Sequence, residues 1–381
     1  MIETRFCTKC VISDHRPIAS AEYLREAGSV PRTMTFDAEG VCGACRVAER
    51  KEQTDWEFQE RVLKVVLETA RRQAGRYDVL VPGSGGKDSV YASHLLKYKY
   101  GMNVLTCTWA PHEYTAVGWR NFQRWLNSGF DNVLVTPNPK VHRLLTKLAF
   151  LNLCHPFQPF VLGQRMLARK LASLYNIGMI FFGEDDEEYE GEKGWQEMPE
   201  SNRFFEPHDE PRGQDTTGKP VHIAGVSVHK LMSEHGLTRA DLEIYMPAAP
   251  APWVNVHALG KYVKWQPQEA YYFAVEKTGF EANEARTEGT YSKYNSIDDR
   301  LDPLHYYTTF VKFGIGRASY DAAQEIRNGH LTREEGVALV KKYDGELREE
   351  TVQWACEYMG ITPAEFWETI TKYKKFYPQV T

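Results

Sequence analysis

Short apolar runs alternate with longer amphipathic segments over the middle of the chain. The runs lack the polar alternation of a strand with one face in water, so they predict buried strands. The segments between them repeat apolar residues every three or four positions, which predicts helices. Strands alternating with helices are typical of an α/β fold with a parallel sheet covered on both faces. The runs are YDVLVPG (77–83), NVLTCTWA (103–110), NVLVTP (132–137) and IGMIFFGED (177–185).

The flanking segments follow other patterns. A charged amphipathic helix is predicted at 52–75, and a fifth strand, VNVHALGKYV (254–263), follows a break rich in proline and alanine. Residues 190–225 are polar and rich in glycine, proline and aspartate, which favours an insertion or lid. The last hundred residues carry helical periodicity, with capping-box sequences at TREE (332–335) and TPAE (362–365).

Three regions are therefore expected. They are a cysteine-rich module at 1–50, an α/β domain at 51–265 that includes the insertion, and a helical region at 266–381 for substrate or partner.

Four of the seven cysteines form two C-x-x-C pairs, Cys7 with Cys10 and Cys42 with Cys45. Two identical spacings suit one tetrahedral metal, and four thiolates leave no open position on it. We expect a structural zinc ion that contributes on the order of 10 kcal/mol to folding this module. A redox C-x-x-C motif would need only one pair, and four unrelated core cysteines would not explain the repeated spacing.

Charge and hydropathy limit the classes of partner. The net charge of −5 weighs against a nucleic-acid-binding protein, for which a basic surface is expected. No apolar run approaches the 18 or so residues of a spanning helix, and MIETRFCTKC is not a signal peptide. The expectation is a cytoplasmic protein that binds neither nucleic acid nor membrane.

The hexapeptide SGGKDS (84–89) lies between the first predicted strand and its helix. It fails the Walker A pattern, because Val81 stands where the first glycine belongs and Asp88 follows the lysine. It also fails the dinucleotide pattern G-x-G-x-x-G at Asp88. What remains, S-G-G-x-D-S, resembles the pyrophosphate loop of enzymes that cleave ATP between its α and β phosphates.

Each residue type in this loop suits phosphate binding. Gly85 and Gly86 let backbone N–H groups face anionic oxygens, and the following helix adds its positive end. The hydroxyls of Ser84 and Ser89 can donate to pyrophosphate, and Lys87 supplies a point charge. Asp88 can orient the loop or approach Mg²⁺.

The expected fold is therefore a five-stranded, Rossmann-like sheet of the pyrophosphate-loop type. Such enzymes transfer AMP to a carbonyl oxygen, and a nucleophile then displaces the AMP.

A wider resemblance covers most of the chain. The blocks that carry it are CTKCVISD, SGGKDS, TWAPHEYTAVGWRNFQ, HPFQPFVLGQ, FFGED, RTEGTYSKYNSIDDRLDPLHYY and KFGIGRASYDAAQEIRNGHLTREE. Together they resemble the N-acetyl sugar amidotransferases, pyrophosphate-loop enzymes of bacterial surface-glycan and flagellin-sugar biosynthesis.

That resemblance implies a reaction and partners. ATP would adenylate the oxygen of a sugar N-acetyl group, and ammonia would displace AMP to turn acetamido into acetamidino. A separate glutaminase with a cyclase-like barrel would supply the ammonia. The implied cofactors are ATP and Mg²⁺ beside the zinc.

Further site residues are expected at the carboxyl ends of the strands, where parallel sheets bind ligands. Thr108, Trp109 and Gly183 are predicted to contact nucleotide, and Glu184 is a catalytic candidate that could hold Mg²⁺ with Asp185. Basic and aromatic residues of the C-terminal blocks are predicted to bind the substrate's oxyanions: Tyr291, Lys293, Tyr294, Lys312, Arg317 and Tyr320.

Two other functions compete with this one. A tRNA thiolase also joins cysteine knuckles to a pyrophosphate loop, but it would want a catalytic cysteine pair and a basic face. A non-catalytic ATP-sensing zinc-ribbon module needs nucleotide binding alone. The long helical C-terminal region is more than such a module requires.

Overall fold

A computed structural model describes residues 3–17, 33–72, 77–183, 222–246 and 251–380 of the chain. Its centre is a five-stranded parallel sheet, which confirms the predicted α/β class and the five parallel strands. The strands are β1 (Val79–Pro82), β2 (Val104–Trp109), β3 (Asp131–Val135), β4 (Met179–Phe182) and β7 (Asn255–Ala258), with a small antiparallel pair, β5 (His222–Ile223) and β6 (Val226–Ser227). The five parallel strands lie side by side in the order β3-β2-β1-β4-β7.

Helices occupy the segments before, between and after the strands. The first two are α1 (Gly43–Gln53) and α2 (Trp56–Arg72). Those that accompany the sheet are α3 (Lys87–His94), α4 (Ala116–Asn127), α5 (Pro139–Leu153), α6 (Gln158–Leu174), α7 (Val228–His235), α8 (Arg239–Glu243) and α9 (Pro267–Thr278). The C-terminal helices are α10 (Asp302–Phe313), α11 (Arg317–Arg327), α12 (Arg333–Tyr343), α13 (Glu349–Met359) and α14 (Pro363–Tyr373).

The sheet is buried on both faces because successive residues of each strand point to opposite sides. Leu80 of β1 belongs to a core formed with α5 and α6. Its neighbours Val79 and Val81 belong to a second core formed with α2, α3 and α4. All three side chains are fully buried. This double burial explains why β1 reads as a continuous apolar run.

The C-terminal helices begin where the sequence predicts. Thr332 accepts a hydrogen bond from the backbone N–H of Glu335, and the Glu335 carboxylate accepts one in return from the N–H of Thr332. The same reciprocal pair forms between Thr362 and Glu365 at the start of α14. Both capping boxes are therefore confirmed.

The cysteine-rich module packs against these C-terminal helices, although they follow it by some 300 residues. Its four cysteines share a core with Ile315 and Ala322. The guanidinium of Arg16 lies 5.0 Å from the ring centroid of Tyr320, and Arg333 donates to the carbonyl of Cys7. Within the described segments, no helix combines the length and apolarity that crossing a bilayer requires.

The predicted insertion falls almost wholly outside the described residues. Only its last four residues, 222–225, are described, and they include β5. The three-region division remains a prediction.

Candidate functional site

The loop between β1 and α3 has the backbone geometry that its glycines allow. Gly85 adopts φ +84°, and a Cβ added to it would lie 2.7 Å from the Cα of Phe122. A Cβ on Gly83 would lie 2.1 Å from that of Ser89. The chain therefore turns tightly, and α3 begins at Lys87 with its N–H groups at the loop.

The charged residues of the loop are held by a residue far away in the chain. Asp88 accepts hydrogen bonds from Lys87 at 2.6 Å and from the indole Nε1 of Trp265 at 3.1 Å. The carbonyl of Trp265 accepts a bond of 2.9 Å from the Lys51 ammonium group. Trp265 is fully buried and Lys51 nearly so. Lys51 lies on α1, which starts beside Cys42. A continuous set of contacts therefore joins the cysteine module to the loop at 82–88, which we call the phosphate loop after its predicted role.

A second wall faces this loop and comes from the segment before α10. Asp299 accepts from both the backbone N–H and Nδ1 of His112, each at 2.8 Å. The N–H of Thr115 donates to the carbonyl of Asp298 at 3.1 Å. A Cβ on Gly118 would lie 2.4 Å from the Cα of Asp298, so only glycine admits this approach. These contacts pin the segment to the carboxyl end of β2.

The loop and this wall enclose a cavity of about 390 Å³. Among the described residues that border it, four aspartates stand against one lysine and one arginine. The excess of carboxyl groups means that a bound triphosphate would require added positive charge. The charged residues are Lys87, Asp88, Asp298, Asp299, Asp302 and Arg317.

Two of these carboxyl groups have perturbed acidity. Burial raises the pKa of Asp298, and a hydrogen bond with Ser84 works in the opposite direction. Burial also raises the pKa of Asp302 well above its usual range, and the nearby charges of Asp298 and Asp299 add to that effect. Strongly perturbed carboxyl groups facing a phosphate loop are typical of a functional site.

Three N–H groups on the cavity lining lack a hydrogen-bond partner within the described part of the chain. They are Nε1 of Trp109, Nε2 of Gln324 and Nε of Arg317. Trp109 is 4% exposed and Gln324 is 7% exposed. Buried donors are nearly always paired in native proteins, so these three are donors on lining residues that a ligand can still pair.

Most of the predicted loop residues line the cavity. Ser84, Gly85, Gly86, Lys87, Asp88 and Trp109 do so, and of the predicted substrate residues Tyr294 and Arg317 do. Ser89 lies just below, where its hydroxyl donates to the carbonyl of Gly86 at 2.9 Å. A Cβ on Gly183 would lie 2.4 Å from the carbonyl oxygen of Asp88, so this residue supports the loop from beneath. Glu184 and Asp185 lie outside the described residues.

Other predicted residues do not line the cavity. Alternate residues of β2 face opposite sides of the sheet, and of this strand Cys107 and Trp109 line the cavity. Thr108 points to the other side, where its hydroxyl accepts a hydrogen bond from the side-chain amide of Asn132. Lys312 is buried and donates to the carbonyl of Leu153 at 3.0 Å.

The remaining three predicted substrate residues also lie elsewhere. Lys293 is exposed and donates to the carbonyl of Glu284 at 2.9 Å. Tyr291 and Tyr320 pack against the core of the cysteine module.

Sequence reasoning assigned no role to Asp298, Asp302 or Gln324. The two aspartates lie in NSIDDRLDP, where three acids precede a helix-starting proline. That cluster was a visible signal. Gln324 gave none, because its position on the cavity depends on how α11 is oriented.

The four cysteine sulfurs lie within 4.8 Å of one another and are buried. The Sγ atoms of Cys7 and Cys45 are 3.8 Å apart, and those of Cys10 and Cys42 are 3.7 Å apart. A tetrahedron of thiolates around one zinc ion has edges of about 3.8 Å. A four-iron cluster puts each thiolate on a different iron and needs wider spacing. Hydrogen bonds from Cys10, Cys42 and Cys45 lower the pKa of Cys7, which favours its thiolate. The geometry therefore suits a single tetrahedral ion.

Comparisons with known proteins cover parts of the chain. Residues 288–379 match the family model described as "LPS biosynthesis protein WbpG-like, C-terminal domain". An uncharacterized protein of Methanocaldococcus jannaschii is 28% identical over 85 residues, which are 22% of this chain and 30% of that protein. The chain thus matches less than a third of that relative's length.

Two solved structures show partial likeness. An NH3-dependent NAD synthetase from Campylobacter jejuni aligns with 35% of this chain and 59% of its own, at 15% identity and a TM-score of 0.29. The U34-tRNA thiolase NcsA from Methanococcus maripaludis, with its [4Fe-4S] cluster, aligns with 87% and 95%, at 11% identity and a TM-score of 0.24. Scores this low support no functional inference.

Proposed function

We propose that this protein is an ATP-dependent amidotransferase that converts the acetamido group of a sugar into an acetamidino group. AMP and pyrophosphate are the other products, and the sugar belongs to a bacterial surface polysaccharide or flagellin glycan. The family description that matches residues 288–379, lipopolysaccharide biosynthesis, supports the coarser part of this proposal.

One observation carries the proposal. The phosphate loop and ten residues between Tyr294 and Gln324, which fall within the matched segment, border the same cavity. A nucleotide on the loop and an acceptor on the opposite wall therefore share one enclosed space, as transfer of AMP between them requires.

The first step forms a bond between the carbonyl oxygen of the acetamido group and the α-phosphorus. The bond from that phosphorus to pyrophosphate breaks, and pyrophosphate leaves with the electron pair. The backbone N–H groups of the loop, the start of α3 and Lys87 stabilise the charge that develops on the leaving group.

The second step is attack by ammonia on the activated carbon. A C–N bond forms, the C–O bond breaks, and AMP leaves with its electron pair while one proton leaves the nitrogen. The product amidinium is a cation, which the carboxyl groups of the opposite wall stabilise by charge.

Metals and partners follow from the same chemistry. Mg²⁺ is held mainly by phosphate oxygens and water with one or two carboxylates, and Asp298, which hydrogen-bonds with Ser84, would provide one. Zinc bound by the four cysteines would stabilise the module. A separate glutaminase with a cyclase-like barrel supplies ammonia.

The thiolase alternative needs a reactive thiolate in the cavity. Cys107 borders it, but burial raises the pKa of this thiol and keeps it protonated. Neutral thiols are poor nucleophiles, so this environment favours amidination over sulfur transfer.

The test is an assay of AMP and pyrophosphate. The protein is incubated with ATP, Mg²⁺, ammonium chloride and a UDP-linked N-acetylated sugar acid, and in parallel with ATP, tRNA and a sulfur donor. We expect AMP, pyrophosphate and an amidino sugar in the first mixture only. Release of ADP, or turnover with tRNA alone, would overturn the proposal.

A further inference from the structure

The side of the cavity formed by α10 and α11 has a chemistry unlike that of the phosphate loop. Arg317, Asp321 and Gln324 lie on one face of α11, spaced by four and three residues. Tyr306 of α10 and Asp302 at its start lie beside them. We call the cavity-lining residues Asp302, Tyr306, Arg317 and Gln324 the acceptor wall.

The guanidinium of Arg317 is already engaged. Its Nη2 lies 2.9 Å from a carboxylate oxygen of Asp321, and its Nη1 donates to the hydroxyl of Tyr306. Only its Nε lacks a partner among the residues that the structure describes. A phosphate or carboxylate clamp needs two parallel N–H groups from one arginine. Asp321 therefore compensates the charge of Arg317, and two of the five guanidinium N–H groups are already used within the protein.

The surrounding charge also opposes an anion. Asp298 and Asp302 border the cavity here, while the one guanidinium is shared with Asp321. A diphosphate brings negative charge, and the guanidinium on this side of the cavity is already compensated by Asp321, so the described lining residues here offer it no uncompensated cation.

The same wall holds a donor that must find an acceptor. The Nε2 of Gln324 has no partner within the described residues, and it belongs to a side chain 7% exposed on a residue that borders the cavity. Carboxyl oxygens, each of which can accept more than one hydrogen bond, thus border the same cavity as an amide that lacks an acceptor. A sugar hydroxyl is both donor and acceptor, so a ring with several hydroxyls satisfies both kinds of group.

We propose that the acceptor wall binds the hydroxyl-bearing pyranose ring of the substrate, and that any nucleotide diphosphate or carboxylate on that sugar lies outside it. This inference rests on the proposed function. The rings of Tyr294, Tyr306 and Phe157 on the lining offer flat apolar surfaces for the C–H face of such a ring. The acetamido arm then shares the cavity with the phosphate loop.

The test is saturation-transfer NMR with two probes, UDP-N-acetylglucosamine and UDP. In the wild-type protein we expect saturation of the acetyl and pyranose protons and weak competition by UDP. Gln324→Leu should raise the Kd for UDP-N-acetylglucosamine about tenfold, which corresponds to about 1.4 kcal/mol. Its Kd for a non-hydrolysable ATP analogue should stay unchanged. Gln353→Leu, at an exposed position on α13, is the matched control and should change neither constant.

Three results would overturn the inference: UDP competing as well as the sugar nucleotide, Gln324→Leu weakening the ATP analogue instead, or no saturation of either probe. If Gln324→Leu fails to fold by circular dichroism, Gln324→Glu replaces it, because that change removes the donor at constant size. The proposed function fails separately, on the identity of the nucleotide product. Binding of the sugar without AMP formation would refute the reaction and leave this subsite standing.

Discussion

The two walls of the cavity were built in different ways. The phosphate loop is one stretch of seven residues, 82–88, and its charged pair of Lys87 and Asp88 is satisfied within the protein. The acceptor wall draws on residues spread from 302 to 324, and it leaves the Nε2 of Gln324 unpaired. On the proposed function, the nucleotide common to many enzymes would be bound by a local backbone motif. The sugar would be bound by side chains that only the packing of helices brings together.

The cysteine module reaches each wall through one intervening residue, so its loss should damage both. Lys51 of α1 contacts Trp265, which holds Asp88 of the phosphate loop. Arg16 lies over Tyr320, whose ring packs against Tyr306 of the acceptor wall. Structural metal sites of this kind contribute on the order of 10 kcal/mol. Removing the metal with a strong chelator should lower the melting temperature by more than about 10 °C and abolish binding of both nucleotide and sugar. Metal analysis with calorimetry checks this, and unchanged binding after complete removal would show that the module is independent of the site.

A smaller change should break only the loop wall. Gly85→Ala forces a Cβ against the Phe122 backbone at φ +84°, and strain of this kind costs about 1–3 kcal/mol. Because the loop must shift away from the phosphates, the Kd for an ATP analogue should rise at least about 100-fold, while UDP-N-acetylglucosamine binding changes little.

Gly86→Ala controls for stability in that experiment. Its φ is −70°, and the atom nearest to an added Cβ is 3.7 Å away, so its melting temperature should match wild type. Equal nucleotide affinity in Gly85→Ala and wild type would contradict the role of the loop.

The contact between module and loop can be loosened without removing the metal. Lys51→Met deletes the donor to the Trp265 carbonyl, and Trp265→Phe deletes the donor to Asp88. Each should raise the Kd for the ATP analogue about tenfold. The double variant should be little worse than either, because both act through Asp88. Fully additive effects, or loss of bound metal in Lys51→Met, would contradict this path.

The smallest expected effect concerns Asp302, whose pKa is raised in the folded protein. A carboxyl group whose pKa is higher in the folded than in the unfolded state stabilises the folded state at any pH below its unfolded pKa. This stabilisation is lost as the pH rises from the unfolded pKa to the folded pKa. Asp302→Asn should therefore increase the free energy of unfolding by about 1 kcal/mol at pH 7.5, and this gain should vanish near pH 4.

The amidotransferase activity of Asp302→Asn should fall although its stability rises, because the acceptor wall loses a carboxyl group. Asp321→Asn, which removes the partner of Arg317, should destabilise the protein at pH 7.5 and serves as the opposite control. Denaturant melts at the two pH values check both variants, and a destabilised Asp302→Asn protein would show that this group is a structural ion-pair partner.

Much of the fold could be predicted from the sequence, because the signals were local. The apolar runs around Leu80 and Leu105 are buried on both faces and gave the parallel strands. The capping boxes at Thr332 and Thr362 fixed two helix starts. The predicted strands ran a few residues too long. For example, 77–83 reduces to Val79–Pro82, although Asp78 and Gly83 at its two ends still donate backbone hydrogen bonds to the neighbouring segment.

The candidate site shows the same difference between features set by local sequence and features set by long-range packing. The sequence by itself determined the tight glycine turn before α3 and the four-cysteine cluster, because glycine conformations, the start of a helix and short ligand spacings are properties of adjacent residues. Phosphate binding by that turn stays a prediction. It misplaced Thr108 and Lys312 and missed Gln324, because a strand's facing and a helix's orientation are set by long-range packing. The tertiary structure alone decided that Trp265 holds Asp88 and that Asp302 and Gln324 meet at the acceptor wall. Contacts between residues 177 positions apart depend on how the two cores assemble, which no short segment encodes.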